Sequence, residues 1–332
     1  METLLNLNIT LGSEVKGAIQ KLIDSLPFYV LLVDKDHTIL LANQAVFTQL
    51  NKDPRNLIGS YCPKAIHNAD GPIPECPLED SVKKGCTIEN EYYDVNYNKW
   101  LLSSIYPTSI KTPDGKTVYL HFTKDITEKK EAQRKLEESI IKLNQITNSI
   151  IKTLTLTVEK RDPYTAGHQL RVSKLGVEIA GELGLSSEEV ECIRIAGLLH
   201  DIGKIAVPIE ILSKPGRISS HEYSIIKEHP IVGYEIIREI DFPGSVSETV
   251  LQHHEKINGS GYPYGLTGKA IHIGAKIICV ADVFEAMVSH RPYRQALPKE
   301  TAMKELQKNK GILYDEDVVN KCLTVLHKGF SF

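Results

Sequence analysis

Hydrophobic and polar positions follow two different rhythms along the chain. In the first third, GAIQKLIDSLP carries helical spacing and stops at Pro27, and FYVLLVD then reads as a buried strand. Lys35-Asp36-His37 is a polar turn leading into TILLANQAVFTQL. Further on, WLLSSIYPTSI and TVYLHFTKDIT flank Thr112-Pro113-Asp114-Gly115, a hairpin signal. The pattern predicts two strands, a helical middle and a closing hairpin: a small antiparallel sheet with helices over one face.

Glycine and proline are absent between Thr127 and Asp162, and Leu136, Ile140, Leu143, Ile150 and Leu154 recur at 3/4 spacing. This predicts one helix with a coiled-coil seam, weakened by Thr147 at a seam position. A transmitting connector and a plain spacer both suit these residues, and a homodimer is the natural consequence. From about residue 161 the rhythm is helical throughout, in RVSKLGVEIAGELG, EEVECIRIAGLLHDIG, EYSIIKEHPIVGYEIIREI, VSETVLQHHE and GAKIICVADVFEAMVSH. Gly203, Pro230 and Pro263 mark helix ends or loops. The second half is therefore expected to be all-α.

Composition narrows the class. The 332 residues are 42% hydrophobic and 24% charged, enough apolar material for two domains and against disorder or a disulfide scaffold. Thirty-nine basic against 42 acidic residues leave a net charge of −3, which does not suit a non-specific binder of nucleic-acid polymers. No apolar run approaches the ~18 residues of a membrane span, and the opening METLLNLNITLGSEVKG lacks a basic n-region and cleavage site. A soluble cytoplasmic protein is expected. Cys192, Cys279 and Cys322 sit singly in apolar surroundings and read as core residues.

Nine of the twelve histidines lie after residue 160, so the chemistry is expected there. In LLHDIGK, Asp201 follows an apolar helix and would be costly to bury unpaired; a metal or a helix-end hydrogen bond would each answer that. His253 and His254 are adjacent, and helical neighbours diverge by ~100°, so both facing one core needs an explanation. Neighbouring metals would supply one, and a buried histidine beside an exposed one another. Asp282 interrupts the apolar run AKIICVADVFEAM, His229 precedes Pro230 at a helix boundary, and His168 opens a helix.

Together His168, His200, His229, His253, His254, Asp201 and Asp282 offer five imidazoles and two carboxylates. Such mixed nitrogen and oxygen donors suit iron, manganese, nickel, cobalt or zinc. Seven ligands exceed one tetrahedral zinc, and two metals bridged by an aspartate and a water are the economical arrangement. A pair of this kind generates hydroxide near neutral pH and clamps a phosphoryl group for in-line attack.

Two resemblances sharpen this. Residues 17–127 resemble a PAS domain, on LPFYVLLVDKDHTILLANQA, Gly59 and FTKDITEKK. Residues 155–330 resemble an HD-GYP domain of the HD phosphohydrolase superfamily, on RDPYTAGHQLRV, LLHDIGKIAVPIEILSKPG, EHPIVG, HHEKINGSGYP, IICVADVFEAM and RPYR. The resemblance implies that His168, His200, Asp201, His229, His253, His254 and Asp282 ligate two divalent metal ions, iron or manganese, with Asp201 as the bridge. It implies that Lys204 lies beside the scissile phosphate, that Gly259, Gly261, Tyr262 and Pro263 form the substrate loop, and that Arg291 and Arg294 contact guanine or phosphate. A solvated lysine, a purely structural loop and surface arginines are the plainer readings of these positions.

Two departures stand out. Asn258 replaces the family's usual aspartate before Gly259, and Tyr164 stands where three-metal members carry glutamate, which favours two metals. The implied activity is hydrolysis of cyclic di-GMP to pGpG and onward to GMP. The alternatives are an HD-type hydrolase of another cyclic nucleotide and a catalytically silent interaction module.

The expected division is an N-terminal extension (1–16), an α+β PAS sensor (17–127), a coiled-coil linker helix (128–154) and an all-α HD-GYP domain (155–332), dimeric through the sensor and linker. Within the sensor, Cys62, His67, Cys76 and Cys86 fall inside 25 residues. They are candidate ligands for zinc, an iron–sulfur cluster or haem, or candidate redox sensors, but their gaps lack a tight C-x-x-C knuckle. Reduced loop cysteines are the alternative, so the sensor's cofactor is unknown.

Overall fold

The computed structural model describes residues 13–74, 76–161, 167–214, 216–290 and 295–332. They divide into two compact units at Ile141/Lys142.

The first unit begins with α1 (Ser13–Asp24), β1 (Tyr29–Asp34) and β2 (Ile39–Ala42). Four short helices come next: α2 (Ala45–Leu50), α3 (Pro54–Leu57), α4 (Cys62–His67) and α5 (Pro77–Lys84). It closes with β3 (Ile88–Asp94), β4 (Lys99–Lys111) and β5 (Thr117–Asp125), giving an antiparallel sheet of order β2-β1-β5-β4-β3. Alternation along β1 sends Tyr29, Leu31 and Val33 into one core with Ile66, Leu78 and Ile105, which the short helices cover. Asn43 is buried because it works as a clamp: its Oδ1 accepts from Val30 N at 2.8 Å, and its Nδ2 donates to the Ile23 and Phe28 carbonyls.

The hairpin and the two early strands stand as the alternation predicts, but β3 is an addition. Its residues IENEYYD carry no apolar run, and its first half is largely exposed. Pairing with β4, Ile88 opposite Ile105 through Asp94 opposite Lys99, makes it a strand. Edge position removes the need for an apolar face, so the hydrophobic rhythm is silent there.

Helix α6 (Thr127–Arg161) is one uninterrupted 35-residue helix, as its lack of glycine and proline predicts. Asp125 and Thr127 start it: Asp125 Oδ1 accepts from Thr127 N, and Thr127 Oγ1 accepts from Trp100 N on β4. Leu136, Ile140, Leu143 and Ile150 lie exposed along it. Its last turns pack into the second unit, where Ile151, Leu154 and Val158 join Ile195, Leu199, Ile202 and Val250 in a core. Leu154, read as a seam position, is therefore occupied within the chain, and packing begins at Ile151 rather than at residue 155.

The remaining helices of the second unit are α7 (His168–Glu182), α8 (Ser187–Leu199), α9 (Ile209–Leu212), α10 (Ser220–Ile226), α11 (His229–Ile237), α12 (Val246–Gln252), α13 (Ile273–Val288), α14 (Lys299–Lys308) and α15 (Glu316–His327). A larger core built on Leu175, Ile179, Ile193, Ile278 and Phe284 holds α7, α8, α13, α14 and α15 together. Among the described residues, no helix is long and apolar enough to cross a membrane.

Candidate metal centre

Helix ends bring the seven candidate ligands to one place. His168 is the first residue of α7, behind Gly167 in the left-handed region at φ 73°. His200 and Asp201 come directly after α8, and a 3₁₀ turn (Ile202–Ala206) carries Lys204. His229 opens α11 with Pro230 next to it. Helix α12 ends at Gln252, so His253 and His254 lie where the helix unwinds and both rings, 4.1 Å apart, turn inward. Asp282 reaches in from the middle of α13. Gly203 permits the closeness: a Cβ there would fall 1.9 Å from the His229 carbonyl oxygen.

The donor atoms fall into three overlapping groups, each within 4.8 Å: His168, His200 and Asp282; His229, His253 and His254; and His200, Asp201 and His253. Asp201 lies between the first two. Its Oδ1 is 3.4 Å from His229 Nε2, and its Oδ2 is 3.6 Å from His200 Nε2 and 3.9 Å from His168 Nε2. Lys204 Nζ donates to the same Oδ2 at 2.7 Å, and His168 Nε2 is 3.2 Å from Asp282 Oδ1.

Second partners fix the tautomers. The Nδ1 atoms of His200, His229 and His253 lie 2.8, 2.8 and 2.6 Å from the carbonyl oxygens of Gly197, Ile226 and Val250. A carbonyl only accepts, so each Nδ1 carries the proton and each neutral ring turns a bare Nε2 inward. His200 Nε2 is buried without a hydrogen-bond partner, and His229 Nε2 faces His253 Nε2 at 3.3 Å. Buried lone pairs aimed at one another are a costly arrangement for protein atoms alone, and they are what a cation requires.

The electrostatics agree. Burial pushes His200, His229, His253 and His254 down, His229 to about 4 and His254 to about 3, so these rings are neutral near pH 7. Burial alone would raise Asp201, but the Lys204 ammonium beside it holds it well below the usual carboxylate range. His168 differs: burial lowers it, yet Asp282 and Glu285 outweigh burial and lift it to about 9. That corner has more negative charge than its imidazole balances when neutral.

Two contributors escape the sequence reading. Glu285, fully buried, bonds His168 Nδ1 through Oε2, while its Oε1 accepts from Arg171 Nε at 2.7 Å and from Ser289 Oγ. A second acid three residues after Asp282 in an apolar helix was the available signal. Glu255 is buried beneath the Gly261-Tyr262-Pro263 loop and accepts from Tyr264 N and Leu266 N, at 2.7 and 2.9 Å. The loop is thus anchored by Glu255, while Asn258 Oδ1 takes Ser260 N and Oγ. Gly261 packs so tightly that a Cβ would meet Lys256 N at 2.4 Å. Tyr262 lies against the cluster, its ring centroid 4.7 Å from that of His254. Arg291, Arg294 and Tyr164 lie outside the described residues.

The cysteines of the first unit form no such ligand group. Among the described residues, the groups of three or more potential ligand atoms all lie in the second unit, and none includes Cys62, His67, Cys76 or Cys86. Cys62 is a core residue whose thiol burial, aided by nearby Cys76, pushes up to about 12. His67 Nδ1 is taken by Asp94 at 3.1 Å, and Cys86 is exposed. Cys62 and Cys76 share one core, but His67 is held by Asp94 and Cys86 is exposed, so the four do not converge as one ligand group.

Comparison with known proteins matches residues 152–318 to an HD domain model and residues 23–131 to a PAS fold model. "Cyclic di-GMP phosphodiesterase response regulator RpfG" of Xanthomonas campestris is 37% identical over 199 residues, covering 59% of this chain and 52% of that protein. "Cyclic di-GMP phosphodiesterase" of Thermotoga maritima is 39% identical over 193 residues, 58% of this chain and 52% of the other. "3'3'-cGAMP-specific phosphodiesterase 1" of Vibrio cholerae is 38% identical over 149 residues, 45% and 35% of the two chains. The chain thus spans about half the length of the first two curated relatives it matches.

Proposed function

The chain belongs to the HD domain family, with a PAS fold preceding that domain, and from this premise we propose that it is a metal-dependent phosphodiesterase acting on cyclic di-GMP. The observation that carries the reading is the set of inward-turned, hydrogen-free Nε2 atoms of His200, His229 and His253 around the Asp201 carboxylate. That donor set fits two divalent cations. His168, His200 and Asp282 would hold one, His229, His253 and His254 the other, and Asp201, which has an oxygen toward each group, would be shared. Imidazole with carboxylate suits iron or manganese, the pair proposed.

Such a metal pair, when bound, supplies Lewis acidity toward a phosphoryl group and lowers the pKa of water. The chain's own groups do the rest. Glu285 and the three carbonyls hold the imidazoles in the ligating tautomer. Lys204 places an ammonium at the rim, where it balances charge accumulating on the phosphoryl oxygens. Tyr262, on a loop fixed by Glu255, presents a ring beside the cluster, and Arg291 and Arg294 complete the substrate contacts. The products are pGpG and then GMP. The PAS fold regulates the reaction, and two copies associate through it and through the exposed apolar face of α6, in the cytoplasm.

A second reading, 3'3'-cGAMP hydrolysis, is favoured by the names of three similar Vibrio cholerae proteins. Incubating the iron- or manganese-loaded full chain separately with cyclic di-GMP and 3'3'-cGAMP, then chromatographing the products, decides between them. The higher kcat/KM is expected for cyclic di-GMP. Preference for 3'3'-cGAMP would install the second reading, and cleavage of neither would remove both in favour of a silent interaction module.

A further inference from the structure

Tyr262 does not end the aromatic surface that begins at His254. Its ring meets that of Tyr223 at 6.5 Å and 80°, edge to face, and it also stands at 77° to His229. Tyr223 comes from α10, for which the amino-acid pattern predicts a helix and no role in the site. A large apolar ring at the surface is ordinary when isolated. This one is 48% exposed yet held in place from several sides.

Helix α10 is capped by Ser219, whose Oγ accepts from Glu222 N while Glu222 accepts from Ser219 N. Lys214 ties Glu222 further through bonds of 2.7 and 2.8 Å. Lys227, one turn on, sets its ammonium 5.3 Å from the centre of the Tyr223 ring. The arrangement is a fixed flat face with a cation beside it, reached in sequence from the ligand cluster through His254 and Tyr262. A nucleotide presents the same series from its phosphate outward: anion, sugar, then an apolar aromatic base that stacks on any ring.

We infer that Tyr223 is the platform on which a purine base of the substrate stacks when its phosphate is at the metal centre, Lys227 adding charge attraction at the same spot. The inference rests on the phosphodiesterase reading for its ligand, and it assigns a specificity residue outside the ligand cluster and the Gly261-Tyr262-Pro263 loop. It is a binding role: Tyr223 reaches the ligand cluster through Tyr262, whose ring lies against His254.

Equilibrium dialysis of cyclic di-GMP against the metal-loaded full chain tests it, with Tyr223→Ala and Tyr223→Phe beside wild type. Loss of one stacked base weakens binding by roughly ten- to a hundredfold, so Tyr223→Ala is expected to lose that much while Tyr223→Phe retains wild-type affinity. In turnover the loss is expected in KM rather than kcat. A structural role would instead lower the unfolding temperature of Tyr223→Ala, which is expected to stay unchanged for so exposed a side chain. Wild-type affinity in Tyr223→Ala overturns the inference, as does an equal loss in Tyr223→Phe, which would assign the effect to the hydroxyl. Failure of wild type to bind cyclic di-GMP overturns it as well. Binding by wild type without cleavage leaves the stacking role standing and removes the hydrolase reading, so the two failures are distinguishable.

Discussion

His229 and His253 face each other through Nε2 atoms 3.3 Å apart. Each ring has its only proton committed at Nδ1, to the carbonyls of Ile226 and Val250, so the contact joins two lone pairs. No hydrogen bond can form there without protonating a ring, and burial opposes that strongly at both sites. Main-chain carbonyls at the ends of α10 and α12 thus enforce a geometry whose natural complement is a shared cation.

If Asp201 is the shared carboxylate, its removal should empty both positions. Asp201→Ala and Asp201→Asn are expected to lose both metals by elemental analysis while keeping the far-ultraviolet dichroism of the helical fold. Added manganese should raise the unfolding temperature of wild type, because binding to the native state alone stabilises it, and leave the variants unmoved. Two metals per chain in either variant would refute the bridging role.

Glu285 should act on affinity through His168. Glu285→Gln retains the size and one acceptor but lacks the charge that keeps the imidazole Nδ1 donating. Loss of such a partner typically costs roughly ten- to a hundredfold in metal affinity, and that loss is expected for one of the two metals in a competition titration. Equal weakening of both would mean general damage to the bundle rather than a role at His168.

Lys204 is 2.7 Å from Asp201, yet it donates no lone pair to a cation. Lys204→Ala is expected to keep both metals and to lower turnover by roughly a hundred- to a thousandfold, the scale for losing one electrostatic stabiliser. Turnover near wild type would return Lys204 to a solvated helix-end lysine.

The clustering of the candidate ligands was legible because several of them break a local rule. Asp201 follows an apolar helix, Asp282 interrupts another, and His253-His254 cannot share a helical face, so unfavourable burial pointed to a cation. Glu285 breaks the same rule, but its neighbour Asp282 already accounted for polarity in that helix, and its partner Arg171 is 114 positions away. Edge strand β3 and the anchoring by Glu255 depend on backbone pairing and loop closure, which hydrophobic rhythm does not encode. The cysteine stretch is the converse case: spacing alone leaves ligands and reduced thiols both open, and it is the fold that sends Cys62 and Cys76 into a core, His67 to Asp94 and Cys86 to the surface.

The PAS core carries its own acid sensitivity. His121 is buried in the sheet, with Nε2 2.7 Å from Ser103 Oγ and 3.1 Å from Thr123 Oγ1, and burial, with smaller contributions from His67 and His37, lowers it to about 3. Its folded value lies below the unfolded value of about 6.5, so the unfolded chain takes up the proton first. The stability it permits is intact above pH 6.5, falls as pH drops toward about 3, and is level below that. The full loss is on the order of 5 kcal/mol. His121→Gln should flatten this fall in denaturant unfolding of the first unit, and an unchanged slope would assign the acid sensitivity elsewhere.

If the PAS fold regulates the HD domain, helix α6 is a continuous element available to carry the coupling. Helix α6 starts where Thr127 is pinned to β4, and its last turns are fixed in the second unit by Ile151, Val158 and Thr155. Thr155 Oγ1 donates to the Leu198 carbonyl at 3.1 Å, two residues before His200. On that reading, a change of helix phase before residue 148 is expected to reach the stretch of chain that carries His200 and Asp201. Transmission needs an element with two arrangements that differ in competence, and if two copies pair through the exposed apolar positions of α6, a seam interrupted at Thr147 would supply them. Deleting four residues within 136–147 turns the C-terminal part of the helix by a net ~40°, whereas deleting seven leaves ~20° and preserves the heptad. The four-residue deletion is expected to change basal turnover more than the seven-residue one, with both proteins dimeric by light scattering. Equal turnover in the two would make α6 a passive tether and send the signal by another route.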